Sequence, residues 1–97
     1  MVKHVILWTL KESENKEEIK ANIKNGLEGL MGKIEGLKEI KVYTNSLASS
    51  NADLMLDSTF EDEAALKGYA VHPDHVQVAD TLVRPFTAIR SCLDFEI

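Results

Sequence analysis

The sequence predicts an α+β fold with the element order βαββαβ, on three observations. Four stretches carry the β-branched and aromatic residues of strands, and most of them alternate in polarity. Between them, other stretches space apolar residues three and four apart, as amphipathic helices do. Turns rich in Ser, Asn, Asp and Gly punctuate the chain, which has no internal repeat, linker or low-complexity tract.

Residues 2–10, "VKHVILWTL", read as the first strand. One face carries His4, Ile6, Trp8 and Leu10, and the other carries Lys3, Val5, Leu7 and Thr9, so both are substantially apolar. Over 15–34, Ile19, Ile23, Leu27, Leu30 and Ile34 recur at helical spacing, while Lys16, Glu17, Lys20 and Lys24 take the other sides. Asn15 with Glu18 suits a capping box at the start of that helix, and Gly36 suits a left-handed stop. Gly26, Gly29 and Gly32 weaken its last turns, each by up to ~1 kcal/mol against alanine. A second strand follows over 37–45, with Ile40, Val42 and Thr44 set against Glu39, Lys41 and Tyr43.

After a polar turn, residues 53–60 form a third strand, with Leu54, Leu56 and Phe60 opposite Asp53, Met55, Asp57 and Thr59. The three acids of "EDEAALKGY" suit a helix N-terminus, and a short helix over 61–69 stops near Gly68. Pro73 opens a further helical piece with Val76, Ala79, Leu82 and Val83 as its apolar stripe, and Pro85 closes it. The fourth strand, 88–97, sets Ile89, Ser91, Leu93 and Phe95 against Ala88, Arg90, Cys92 and Asp94.

This order specifies a ferredoxin-like split βαβ unit, a four-stranded antiparallel sheet with its helices on one face. The opposite face would leave Val5, Leu7 and Met55 bare, a patch that a monomer rarely tolerates. A homodimeric α+β barrel is therefore expected, with two sheets packed ~10 Å apart.

The totals fit one domain over 1–97, in which 44% of residues are apolar and 28% charged. No segment approaches the ~20 apolar residues that cross a bilayer, and no secretory signal leads the chain, so a cytoplasmic setting is expected. A net charge of −5 makes nucleic acid and anionic membrane surfaces poor partners. Cys92 stands alone, which is taken to exclude both an internal disulfide and a cysteine-based metal site.

The chemistry-bearing stretch is "GYAVHPDH", residues 68–75. On an enzymatic reading His75 is a base that titrates near neutrality, and Tyr69 donates a hydrogen bond to an oxyanion or enolate. His4, Ile6 and Trp8 on one strand face are then candidate substrate contacts, and no cofactor is required. On a structural reading His72, held extended by the following proline, caps the helix that Pro73 opens, and Tyr69 is a buried ring whose hydroxyl finds a partner. A metal reading of His72, Asp74 and His75 is disfavoured, because Pro73 interrupts the helical geometry that would aim both rings at one ion. Phosphate-cradling loops, dinucleotide fingerprints and Gly-x-Ser-x-Gly elbows are absent; Ser46, Ser49 and Ser50 read as turn residues.

"VKHVILWTL", "STFEDEAALKGYAVHPDH" and "LDFEI" together resemble the stress-responsive A/B-barrel (Dabb) family of dimeric α+β barrels. The resemblance spans the chain and implies the dimer. It also implies, through a plant polyketide cyclase of that family, olivetolic acid cyclase, that Tyr69 and His75 form a catalytic pair with His4 and His72 in or beside the pocket. Leu54 stands where that cyclase has a further histidine, and its pocket aromatics are missing from the first helix, so the same substrate is not implied. The expectation is a small apolar or carbonyl-bearing ligand held between helices and sheet. A non-catalytic stress or interaction protein and a cofactor-independent oxygenase are the alternatives.

Overall fold

The computed structural model describes all of residues 1–97. Its strands are β1 (Val2–Leu10), β2 (Leu37–Tyr43), β3 (Leu54–Phe60) and β4 (Thr87–Glu96); its helices are α1 (Lys16–Glu28), α2 (Glu63–Val71) and α3 (Pro73–Val78). The sheet has the order β2-β3-β1-β4, and every neighbouring pair runs antiparallel. This is the expected ferredoxin-like arrangement, with a third helix added by the Pro73 segment. No helix is long and apolar enough to cross a membrane.

The strand faces fall as the alternation predicts. His4, Ile6, Trp8 and Leu10 of β1 are buried beneath the helices, together with Leu54, Leu56, Ser58 and Phe60 of β3. Ile19, Ile23 and Leu27 of α1 and Leu66 and Tyr69 of α2 close over them to make the core. Ser58, the polar member of the β3 face, is kept there by donating to the His4 carbonyl at 2.8 Å.

Helix α1 is shorter than the spacing predicts. It ends at Glu28, and residues 29–34 continue as tight turns in which Leu30, Met31 and Lys33 donate to carbonyls three residues back. Gly32 has φ +84°, which no continuing helix can contain, yet Leu30 and Ile34 still reach the core. The capping box also fails, since the Asn15 side chain makes no cap bond. At the second helix Asp62 does cap, accepting from the Ala65 amide at 2.8 Å, and the helix runs past Gly68 to Val71.

The two outer strands of the sheet are treated differently. On β2, the outward amide of Val42 donates to Glu28 at 2.8 Å and its carbonyl accepts from Lys24 at 2.9 Å, so α1 satisfies that edge. On β4 no residue is buried at all. The sheet face away from the helices exposes Leu7, Tyr43, Ile89, Leu93 and Phe95, and its one ion pair joins Lys3 to Asp57 at 2.6 Å.

Candidate functional site

A cavity of about 170 Å³ lies between the helices and the sheet. Strand β1 supplies His4, Ile6 and Trp8 to its floor, alternate residues that the pleat sends to one face. Helix α2 supplies Leu66 and Tyr69, three residues apart and so on one side of the helix, and α3 supplies His75. The remaining wall follows α3, where the chain widens into a π-helical turn, Ala79–Val83, before a 3₁₀ turn at Arg84–Phe86. Ala79, Val83 and Arg84 from this segment face the cavity. Such widened turns change the facing of the residues after them and are frequent at functional sites.

Five of the six residues expected at a site therefore meet in one cavity: His4, Ile6, Trp8, Tyr69 and His75. His72 does not. Its Nδ1 accepts the Asp74 amide at 3.1 Å, capping α3 with Pro73 in the first turn, and the residue lines a separate surface groove beside Gly36, Asp62 and Gly68. Its imidazole is engaged in the helix cap and is not among the residues lining the cavity. The same geometry separates His72 from His75 and removes the metal reading of that pair.

Inside the cavity the Tyr69 and His75 rings stack with centroids 4.0 Å apart, while His4 and Phe60 meet Tyr69 edge-on at 6.1 and 4.9 Å. Tyr69 Oη and His75 Nδ1 are both buried and have no hydrogen-bond partner in the chain. Leaving such a group unpaired costs ~1–3 kcal/mol, so their occurrence side by side requires an explanation. Burial also sets their protonation. It raises the Tyr69 pKa well above the ordinary phenol value, keeping a neutral donor. It lowers the His75 pKa, an effect reinforced by Arg84 and His4 and opposed in part by the backbone of Ala70 and Tyr69.

Strand β4 contributes further residues beside the cavity, of which Arg90 lines its wall. Strand pairing sets Asp94 opposite His4, Cys92 opposite Ile6 and Arg90 opposite Trp8. His4 Nδ1 lies 2.5 Å from Asp94 Oδ1, with Cys92 Sγ 3.7 Å from the same nitrogen and 3.4 Å from the same oxygen. Burial works against ionisation of Asp94, but His4, Cys92 and Arg90 together hold its pKa below the usual carboxylate value. The alternation of 88–97 already places Arg90, Cys92 and Asp94 on one face. Their meeting with His4 depends on a register linking residues about ninety positions apart, which no local pattern encodes.

With this geometry in view, the sequence profile of the Stress responsive A/B Barrel Domain, Dabb, matches residues 2–97. The chain belongs to that family. Among solved structures, a dimeric protein of unknown function and ferredoxin-like fold from Bacteroides fragilis superposes with TM-score 0.91 at 29% identity, covering 99% of this chain and 95% of the other. An Arabidopsis thaliana protein matches at 27% identity and TM-score 0.74, covering 100% and 95% of the two chains. Hydroxynitrile lyase from Passiflora edulis, at 20% identity and TM-score 0.73 over 99% and 92% of the two chains, is similar in fold. Comparison with curated protein sequences found no match.

Proposed function

We propose that this Dabb chain is a homodimeric α+β barrel whose helix-to-sheet cavity binds a small, largely apolar molecule bearing a carbonyl group, and that Tyr69 and His75 move a proton on it. The observation that carries the reading is the pair of buried atoms without a side-chain partner, Tyr69 Oη and His75 Nδ1, on two stacked residues that line one cavity. A carbonyl oxygen supplies the acceptor that the Tyr69 hydroxyl lacks. An acidic C–H beside that carbonyl supplies the proton that a ring nitrogen of neutral His75 accepts. The lowered pKa keeps His75 in its neutral, proton-accepting form, and the raised pKa keeps Tyr69 a donor as negative charge develops on oxygen. At about 170 Å³ the space is well below the ~300–1,000 Å³ of drug-sized pockets, so the ligand is compact.

Two observations support the dimer. Exposed apolar residues recur on the face opposite the helices, Tyr43 on β2, Leu7 on β1 and Ile89, Leu93 and Phe95 on β4, and the Bacteroides fragilis relative is described as dimeric.

A non-catalytic binding role has one observation in its favour, since His4, Phe60, Tyr69 and His75 pack ring against ring as an ordinary aromatic core does. Hydrogen–deuterium exchange at the α-carbon of a short β-keto thioester, followed by NMR, separates the two. Wild type should accelerate exchange and His75→Ala should lose most of that acceleration; equal rates in both proteins would remove His75 from any role in proton transfer.

A further inference from the structure

On the β4 side of His4 a second constellation lies outside the Tyr69–His75 reading. His4 Nδ1, Cys92 Sγ and Asp94 Oδ1 converge from two hydrogen-bonded strands, all within 4.8 Å of one another. They offer an imidazole, a thiol and a carboxylate, the three donor types that divalent zinc takes. A tetrahedral zinc ion has bonds of about 2.3 Å to sulfur and about 2.0–2.2 Å to nitrogen and oxygen, which places its ligand atoms roughly 3.3–3.6 Å apart. The observed Sγ···Nδ1 separation of 3.7 Å and Sγ···Oδ1 separation of 3.4 Å already match two edges of that figure. The third, Nδ1···Oδ1 at 2.5 Å, is a proton-bridged contact and must open by roughly 0.8 Å for an ion to replace the proton. Rotation of the exposed Asp94 side chain is enough for that.

From these distances we propose that His4, Cys92 and Asp94 form a three-ligand site for a zinc-like divalent cation. Strand pairing brings the donors together: His4 and Asp94 are directly opposed and Cys92 lies two residues before Asp94 on the same face. Three protein ligands leave one tetrahedral position. His4, Cys92 and Asp94 themselves line a groove of about 720 Å³ together with Lys67, Arg90 and Phe95, so water or an oxygen of a bound molecule has access to the cluster. The cysteine count argued against such a site, but that argument covers only all-cysteine sites; one thiolate joins other donors readily.

The full-length protein, treated with chelator under reducing conditions, would be titrated with Co²⁺ alone and then with Zn²⁺. The expected result is one Co²⁺ per subunit, a near-ultraviolet thiolate-to-cobalt charge-transfer band, visible bands of tetrahedral intensity, and displacement of all of these by Zn²⁺. Cys92→Ser should lose the charge-transfer band and Asp94→Asn should weaken binding at least tenfold. Both residues are exposed, so circular dichroism should show the wild-type fold, and His72→Ala should bind as wild type does. A cobalt spectrum equal to that of the free aquo ion, or the same uptake and spectrum in Cys92→Ser, would overturn the proposal and leave the Tyr69–His75 pair untouched.

Discussion

Replacing Tyr69 with phenylalanine should make the protein more stable and its cavity less competent at once. The substitution deletes one atom, Oη, which is buried and hydrogen-bonded to nothing in the chain. The ring contacts stay: His75 stacked at 4.0 Å and Phe60 edge-on at 4.9 Å. No hydrogen bond is lost, and the space opened is that of a single oxygen. What is recovered is the desolvation of an unpaired hydroxyl, ~1–3 kcal/mol, less a small packing loss, so a net gain of about 1 kcal/mol is expected. For a domain of this size that raises the melting temperature by about 4–8 °C. Thermal and urea unfolding should be compared at one fixed protein concentration, because the proposed dimer would couple stability to concentration. The same variant should lose roughly 10²–10³-fold in proton-exchange rate, the usual effect of removing an oxyanion donor. A destabilisation of 1 kcal/mol or more would mean that the hydroxyl is satisfied in solution, and the reading of Tyr69 as a donor waiting for a ligand would fall with it.

Other outcomes follow from particular residues. Leu93→Asp, on the outer face of β4, should shift sedimentation from dimer to monomer; an unchanged dimer would exclude that face as the interface. Gly36→Ala should cost more than ~1 kcal/mol in urea unfolding, because Gly36 has φ +82° and a Cβ there would sit 2.4 Å from the Ala65 Cβ; a neutral result would show that the turn relaxes freely. His75 gives a pH signature whose sign is fixed: its folded pKa lies below the ordinary 6.5, so the unfolded chain binds the proton first. Its contribution to stability is complete above pH 6.5 and drains away as pH falls from there toward the folded value. His75→Gln should flatten that segment of the stability curve, and an unaltered slope would show that His75 titrates normally.

Much of this was readable in the sequence because alternation and helical spacing are local. The pattern of residues 2–10 put His4, Ile6 and Trp8 on one face, and the strand buries all three. Pro73 after His72 announced a helix start, and His72 caps it. That cap is also why His72 left the site, since a motif of neighbouring histidines does not say which ring the backbone will enlist. The end of α1 was misread because Leu30 and Ile34 keep an apolar period even though Gly32 has a positive φ; burial continued where the helix did not. Long-range register was the least legible. Asp94 and Cys92 acquire meaning only beside His4, and the π-helical turn that brings Ala79, Val83 and Arg84 to the cavity leaves no periodic trace.

In the proposed dimer, the uneven protection of the two edge strands makes occupancy of the cavity a collective property. Arg90, which lines the cavity wall, sits on β4, the least sheltered strand of an isolated subunit, whereas the far border at β2 is tied down by Lys24 and Glu28. Dilution that separates the subunits should therefore let β4 loosen first, and affinity for a cavity ligand should weaken over the same concentration range in which the pair comes apart.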